Sequence, residues 1–291
     1  MKTLKKLVKN PASLAGLLII ASLAAVAVLA PVLAPPREGR NPYLIPRAGY
    51  SEIPKPPREG HAFGTTQGQY DIYYGIIWGT RSAFKVGLIV TGSIAVLGVL
   101  IGTVASYYGG LVDETVMRIV DIFMAFPFLV AAMTLTSILG KGLDRVMLAL
   151  IAFGWMKYAR VMRSEVLTVK EKMYIEASRA IGVGDLRIML RHVLPNAIFP
   201  VFVVATMDIG SMVLWASALS FLGLGAEVGY ADWGQLISFS RNWMIGSPGN
   251  PFMYWYTVVY PGAAIFLFVL GWNLIGDAFR DILDPRQQGS H

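Results

Sequence analysis

Long apolar blocks recur along this chain, at 12–34, 83–107, 117–139, 143–159, 196–222 and 256–277, and most of the charged residues lie between them. A bilayer core takes about 20 consecutive mainly apolar residues per helix, so the pattern predicts an all-α membrane protein of about six transmembrane helices. The third block contains Asp121 and Pro127, and the fourth is short and interrupted by glycine. Such blocks pack against protein instead of lipid.

The intervening segments set the expected topology. The first block follows Lys2, Lys5, Lys6 and Lys9 and ends before Pro35 and Pro36. A basic start of this kind also fits a signal peptide, but the apolar run exceeds a typical signal core, which favours an uncleaved anchor with a cytoplasmic N-terminus. Residues 35–80 are rich in proline and glycine and predict an irregular extracytoplasmic loop. Its basic residues Arg37, Arg40, Arg47, Lys55 and Arg58 are nearly balanced by Glu38, Glu52, Glu59 and Asp71, and long loops obey the charge rule weakly. Between the fourth and fifth spans lie Lys157, Arg160, Arg163, Lys170, Lys172, Arg179, Arg187 and Arg191, which places that segment inside. The 223–255 loop, with Arg241 alone, falls outside, and the C-terminus with Arg280 and Arg286 returns inside.

Composition narrows the function. Hydrophobic residues make up 55% of the 291 and charged residues 15%, against about 25% charged in an average soluble domain. The absence of cysteine excludes disulfides, thiolate metal sites and cysteine nucleophiles. A net charge of +7 is scattered between apolar blocks with no aromatic-interleaved basic patch, so it records orientation and not nucleic-acid binding. The histidines, His61, His192 and His291, form no metal or catalytic cluster, and no G-x-x-x-x-G-K-[ST], H-E-x-x-H or G-x-S-x-G motif is present.

The cytoplasmic stretch from Thr168 to Pro195 reads as two short helices. Thr168 and Glu171 have capping-box spacing, Gly182 and Gly184 interrupt, Asp185 is placed to cap the second helix, and Pro195 marks re-entry into the membrane. Met173, Ala177, Ala180 and Ile181 share one face of the first helix, and Leu186, Met189, Leu190 and Val193 form a stripe on the second. Periodicity alone leaves two readings open: a hairpin lying on its own bundle or on lipid, and a hairpin docking a partner.

The residues themselves decide the weighting. Glu176-Ala177-Ser178, three residues, Gly182, nine residues, then His192-Val193-Leu194-Pro195 resembles the E-A-A…G…I-x-L-P signature of ABC importer permeases, with Ser178 for the second alanine and His192 for the isoleucine. Phe63-Gly64-Thr65, Tyr107-Tyr108-Gly109-Gly110, Asp121 with Ala125-Phe126-Pro127, Leu219 to Gly225 and Asn273 to Arg286 resemble the dipeptide, oligopeptide and nickel branch in the same order. The resemblance implies a passive permease subunit of an ATP-driven importer in the plasma (inner) membrane, with no enzyme activity and no cofactor of its own. It also implies a second permease subunit, two ATP-binding subunits and an extracellular substrate-binding protein. Glu176, Ala177, Ser178, Gly182, Asp185, Leu194 and Pro195 become the ATPase-docking residues. On this reading 1–34 is the N-terminus and first helix, 35–80 the extracytoplasmic loop, 81–280 the core with its coupling segment 160–195, and 281–291 a cytoplasmic tail. Peptides, nickel chelates and oligosaccharides are all substrates of this branch.

Two acids inside spans carry a rival reading, a self-contained ion-coupled transporter using Asp121 and Asp208; no inverted repeat accompanies it. Asp208 either lines the translocation path, biasing it toward cationic or amino-bearing substrate, or sits in a buried pair or water-filled crevice. Asp121, three residues after Arg118, is placed for a local pair near the inner boundary. The topology predicts that a cysteine at Ser51 is labelled by an impermeant reagent from outside intact cells; labelling only from the cytoplasmic side reverses it.

Overall fold

The structure, a computed structural model, describes residues 10–246 and 249–283. The lysines before the first span, His291 and most of the 281–291 tail, with Arg286, lie outside the described residues. In chain order the helices are α1 (Pro11–Leu33), α2 (Ile72–Tyr108), α3 (Gly110–Met124), α4 (Phe128–Leu139), α5 (Leu143–Lys170), α6 (Met173–Ala180), α7 (Asp185–Phe221), α8 (Trp233–Ser238) and α9 (Tyr256–Leu283). Among the described residues there is no named strand, only isolated bridges.

Four helices are long and apolar enough to cross a membrane, α1, α2, α7 and α9, and α3 with α4 qualifies as a fifth span bent by 86°. The bend corrects the single third span expected at 117–139: Pro127 ends the helix after Met124 because it cannot supply the backbone N–H that a continuous helix requires. The fourth block, expected as a span, is not among the helices that qualify, and its helix does not stop at 159. Helix α5 runs to Lys170, carrying Lys157, Arg160 and Arg163 inside the helix, where each meets a carboxylate on another helix. The second span begins eleven residues before 83, at Ile72, so the loop expected at 35–80 ends at Asp71, whose Oδ1 accepts the Tyr74 backbone N–H at 2.8 Å and caps α2.

Helices α2 and α5 form the centre of the bundle. Their backbones approach closely at Gly98 and Gly102, where a Cβ would stand 2.3 Å from Tyr158 Cβ and 2.6 Å from the Ala159 carbonyl oxygen. Lipid gives no hydrophobic drive between helices, so such close contact between small residues supplies the attraction through packing. Val146, Leu150, Tyr158 and Met162 of α5 are fully buried, whereas α3 and α4 leave Leu111, Phe126 and Ile138 exposed. The two spans expected to be shielded from lipid therefore differ within the chain: α5 is enclosed and α3–α4 is uncovered.

Residues 34–71, 222–246 and 249–255 fold together as a cap at the end of the bundle where α2 and α5 begin and α7 ends. Ile45 N–H donates to the Gly229 carbonyl at 2.8 Å and Ala231 N–H to that of Tyr43 at 2.7 Å. Trp78 Nε1 donates to the Ala34 carbonyl at 2.9 Å, and Trp233 Nε1 to that of Ile76 at 3.1 Å. The segment after α7 is therefore more than a loop: α8 packs onto α2 and α9 through the buried Trp233 and Leu236.

Gly98→Val is expected to lower the thermal midpoint of the purified protein, because overpacking a close helix contact costs about 1–3 kcal/mol. Gly92→Val on the same helix, where a Cβ meets nothing within 4 Å, should leave the midpoint unchanged in the same fluorescence melt.

Candidate functional site: the hairpin between α5 and α7

The end of the bundle opposite the cap is formed by α6, the turn after it and the start of α7. The turn closes as a Schellman motif: Val183 N–H donates to the Ser178 carbonyl at 3.1 Å and Gly182 N–H to that of Arg179 at 2.9 Å. Gly182 sits at φ +81° with open space where a Cβ would be. A residue other than glycine is strained there by its backbone and not by crowding.

The faces differ in part from those the sequence predicts. Met173 (84% exposed), Ile181 (81%), Ala177 and Ala180 lie open to solvent with Glu176, while Ile175 is fully buried and anchors α6. Ser178 is half-buried and its Oγ donates to the Tyr174 carbonyl at 2.7 Å. The expected stripe on the second helix splits: Ile188, Met189 and Val193 point inward, and Leu186 and Leu190 outward. The cause is a π-helical turn at Met189–Val193, closed by Leu194 N–H donating to the Met189 carbonyl, which rotates the register. Leu194 is half-buried and Pro195 exposed. Pro195 does not break the helix, since the widened turn accommodates its missing N–H and α7 continues into the membrane.

Two capping assignments are corrected. Thr168 lies inside α5 with its Oγ1 donating to the Ser164 carbonyl at 3.0 Å, so no capping box forms with Glu171. The N-cap of α7 is Gly184, and the Asp185 carboxylate instead accepts the Tyr107 hydroxyl at 2.7 Å. Glu176 makes no ion pair among the described residues.

Residues that sequence reasoning did not assign to the site tie the hairpin to the spans. Lys170 Nζ donates to the Ser106 and Tyr107 carbonyls at 3.0 and 2.7 Å, satisfying the C-terminal end of α2. The Arg179 guanidinium lies 5.4 Å from the centre of the Tyr107 ring. Arg163 grips Asp113 of α3 in a bidentate pair, Nε to Oδ1 at 2.9 Å and Nη2 to Oδ2 at 2.7 Å. The Tyr107-Tyr108 step was visible as a motif; its contact with Asp185, 78 residues away, carried no sequence signal.

The membrane acids are also placed. Arg118 pairs with Glu114, and Asp121 with Arg160 of α5, so the expected Arg118–Asp121 pair does not form. Asp208 lies in a pair with Lys157 and lines a cavity at the α3–α4 bend.

A permease subunit of a transport assembly accounts for this combination of apolar helical bundle, cap and amphipathic hairpin. Residues 94–289 match the family of binding-protein-dependent transport system inner membrane components, and residues 2–46 match the N-terminal transmembrane domain of oligopeptide transport permease C. The chain belongs to this family, the ABC importer permeases of the dipeptide and oligopeptide branch. It is 35% identical over 289 residues, 98% of this chain and 89% of the relative, to the dipeptide transport system permease protein DppC of Alkalihalophilus pseudofirmus. It is 35% identical to the glutathione transport system permease protein GsiD of Pectobacterium atrosepticum over 81% of this chain and 76% of that one. The inward-facing MetNI methionine ABC transporter shares its fold, with a TM-score of 0.58 at 19% identity over 72% of this chain and 97% of that one.

Arg163→Met should lower the thermal midpoint, because it strands the buried Asp113 carboxylate at a cost of about 1–3 kcal/mol. Adding Asp113→Leu should restore most of the loss; a double variant as unstable as the single would show that the pair is not the cause.

Proposed function

We propose that this chain forms half of the translocation path for peptides delivered by an extracellular binding protein, and that its hairpin docks on a separate ATP-binding subunit. Its N-terminus and hairpin face the cytoplasm and its cap faces the binding protein. A second permease subunit pairs with it and two ATP-binding subunits complete the importer, so that hydrolysis occurs elsewhere and the chain needs no cofactor of its own.

The observation that carries the reading is the hairpin. Met173, Ile181, Leu186 and Leu190 form an exposed apolar surface around Glu176 and Ala177, held rigid by the Schellman turn and by Tyr107, Lys170 and Arg179 against the end of α2. A stiff exposed surface tied to a long membrane helix suits a lever that passes nucleotide-driven closure to the spans. The uncovered α3–α4 face supports the second permease as its cover. Asp121 and Asp208, which the ion-coupled alternative needs as free carboxylates, are both engaged by cations. The peptide assignment draws on the dipeptide and glutathione permeases among the relatives.

Gly182→Asp is expected to leave insertion and assembly of the two permeases intact, while the ATP-binding subunits co-purify poorly and uptake in proteoliposomes is lost. Glu176→Ala should weaken co-purification more mildly, since it removes one partner-facing charge and leaves the helix intact. Normal uptake with ATP-binding subunits bound in Gly182→Asp would overturn the docking role.

A further inference from the structure

Lys157 and Tyr158 of α5 meet Asp208 of α7 in a closed polar cluster. Lys157 Nζ donates to both Asp208 oxygens at 2.9 Å, and the Tyr158 hydroxyl donates to Oδ2 at 2.9 Å. The Asp208 side chain is 9% exposed and that of Lys157 53%. The pair forms part of the wall of a cavity of about 520 Å³, set at the α3–α4 bend and otherwise lined by groups such as Phe123, Phe126, Phe153, Met212 and Trp215. Lys157 and Asp208 are the charged residues in that lining, and the rest are uncharged.

The net charge of the wall therefore depends on both residues being present. A pair 2.9 Å apart presents a short dipole whose field fades faster with distance than that of a single ion. Removing one partner leaves an uncompensated charge in a wall that is otherwise uncharged. Packing alone gives no reason for ions at this contact, since apolar side chains of similar volume hold helices together as well or better. Tyr158 also donates to the carboxylate, so Asp208 keeps a hydrogen-bond donor when Lys157 is changed.

We infer that Lys157 is a specificity-determining residue of the translocation path: by cancelling Asp208 it keeps the chamber neutral, suited to net-neutral zwitterionic peptides with bulky apolar or aromatic side chains. Loss of Lys157 turns the chamber toward cationic peptides, and loss of Asp208 turns it toward anionic ones. This rests on the peptide-path reading above, but the charge assignment can be read without any peptide.

The chain has no cysteine, and Ser211 lines the same cavity, so Ser211→Cys reports on the chamber in the assembled importer. The readout is the ratio of its modification rates with trimethylammonium and sulfonate methanethiosulfonate reagents of equal size. Lys157→Met should raise the cation-to-anion ratio by about tenfold or more, Asp208→Asn should lower it comparably, and the double variant should return to the parent value. In uptake assays Lys157→Met should favour lysine-containing over neutral peptides. Should Lys157→Met fail to assemble, Lys157→Gln carries the same expectation, because its amide still donates to Asp208. A purely structural pair would change both reagent rates together; a ratio within about twofold of the parent in both single variants overturns the inference. A shifted ratio in an importer that moves no peptide would leave the charge assignment standing and refute the peptide path.

Discussion

Helix α5 brings three cations, Lys157, Arg160 and Arg163, into a bundle most of whose surface is apolar, and each has to find an anion on a different part of the chain. Lys157 reaches Asp208 on α7, while Arg160 and Arg163 reach Asp121 and Asp113 on α3. An unpaired charge among apolar helices is so unfavourable that these contacts restrict how the helices can be arranged about α5. Helix α2 is held to α5 by the close approach at Gly98 and Gly102, by the Lys85–Asp144 ion pair and by the Lys170 hydrogen bonds. Pairing selects the arrangement and packing supplies the attraction, a division expected where lipid removes the usual hydrophobic drive.

The same helix delivers its C-terminal end to the hairpin. Lys170, its last residue, binds the terminal carbonyls of α2, and α6 begins at Met173. The exposed hairpin is thus not a loose loop on a bundle. It is built on backbone groups that α2 would otherwise leave unsatisfied, and Tyr107 links those groups to both Arg179 and Asp185.

The amphipathic hairpin and the position of its glycine were legible from the sequence, since each follows from local periodicity or from a residue whose conformational needs are singular; the six expected spans were not, because four helices, or five with the bent pair, are long and apolar enough to cross. What could not be read was long-range. The 117–139 block has no feature apart from Pro127 to reveal an 86° bend, and apolar residues alone look the same in a straight or a broken span. Lys157, Arg160 and Arg163 read as the basic flank of a loop because charge normally ends a span; only the carboxylates on α3 and α7 let the helix continue through them. Capping failed at Thr168 and Asp185 for a related reason, as one side chain bonds within its own helix and the other is claimed by Tyr107. The π-turn at Met189–Val193 moved Leu186 and Leu190 off the inward stripe by a register shift that a 3.6-residue period cannot anticipate.

The length of α2 has a mechanical consequence. Its 37 residues span about 55 Å at 1.5 Å per residue, well beyond the roughly 30 Å of a bilayer core, and they run from the cap at Asp71 to the hairpin at Tyr107. Helices α1 and α9 each have an interior proline, Pro31 and Pro261, α7 has two, Pro195 and Pro200, and α3 breaks from α4 at Pro127. Neither α2 nor α5 contains one. The molecule thus has a stiff two-helix strut surrounded by helices with built-in points of bending. A displacement applied at the hairpin is carried to the cap along that strut with little lost in between, while the chamber beside it can change shape at its own joints.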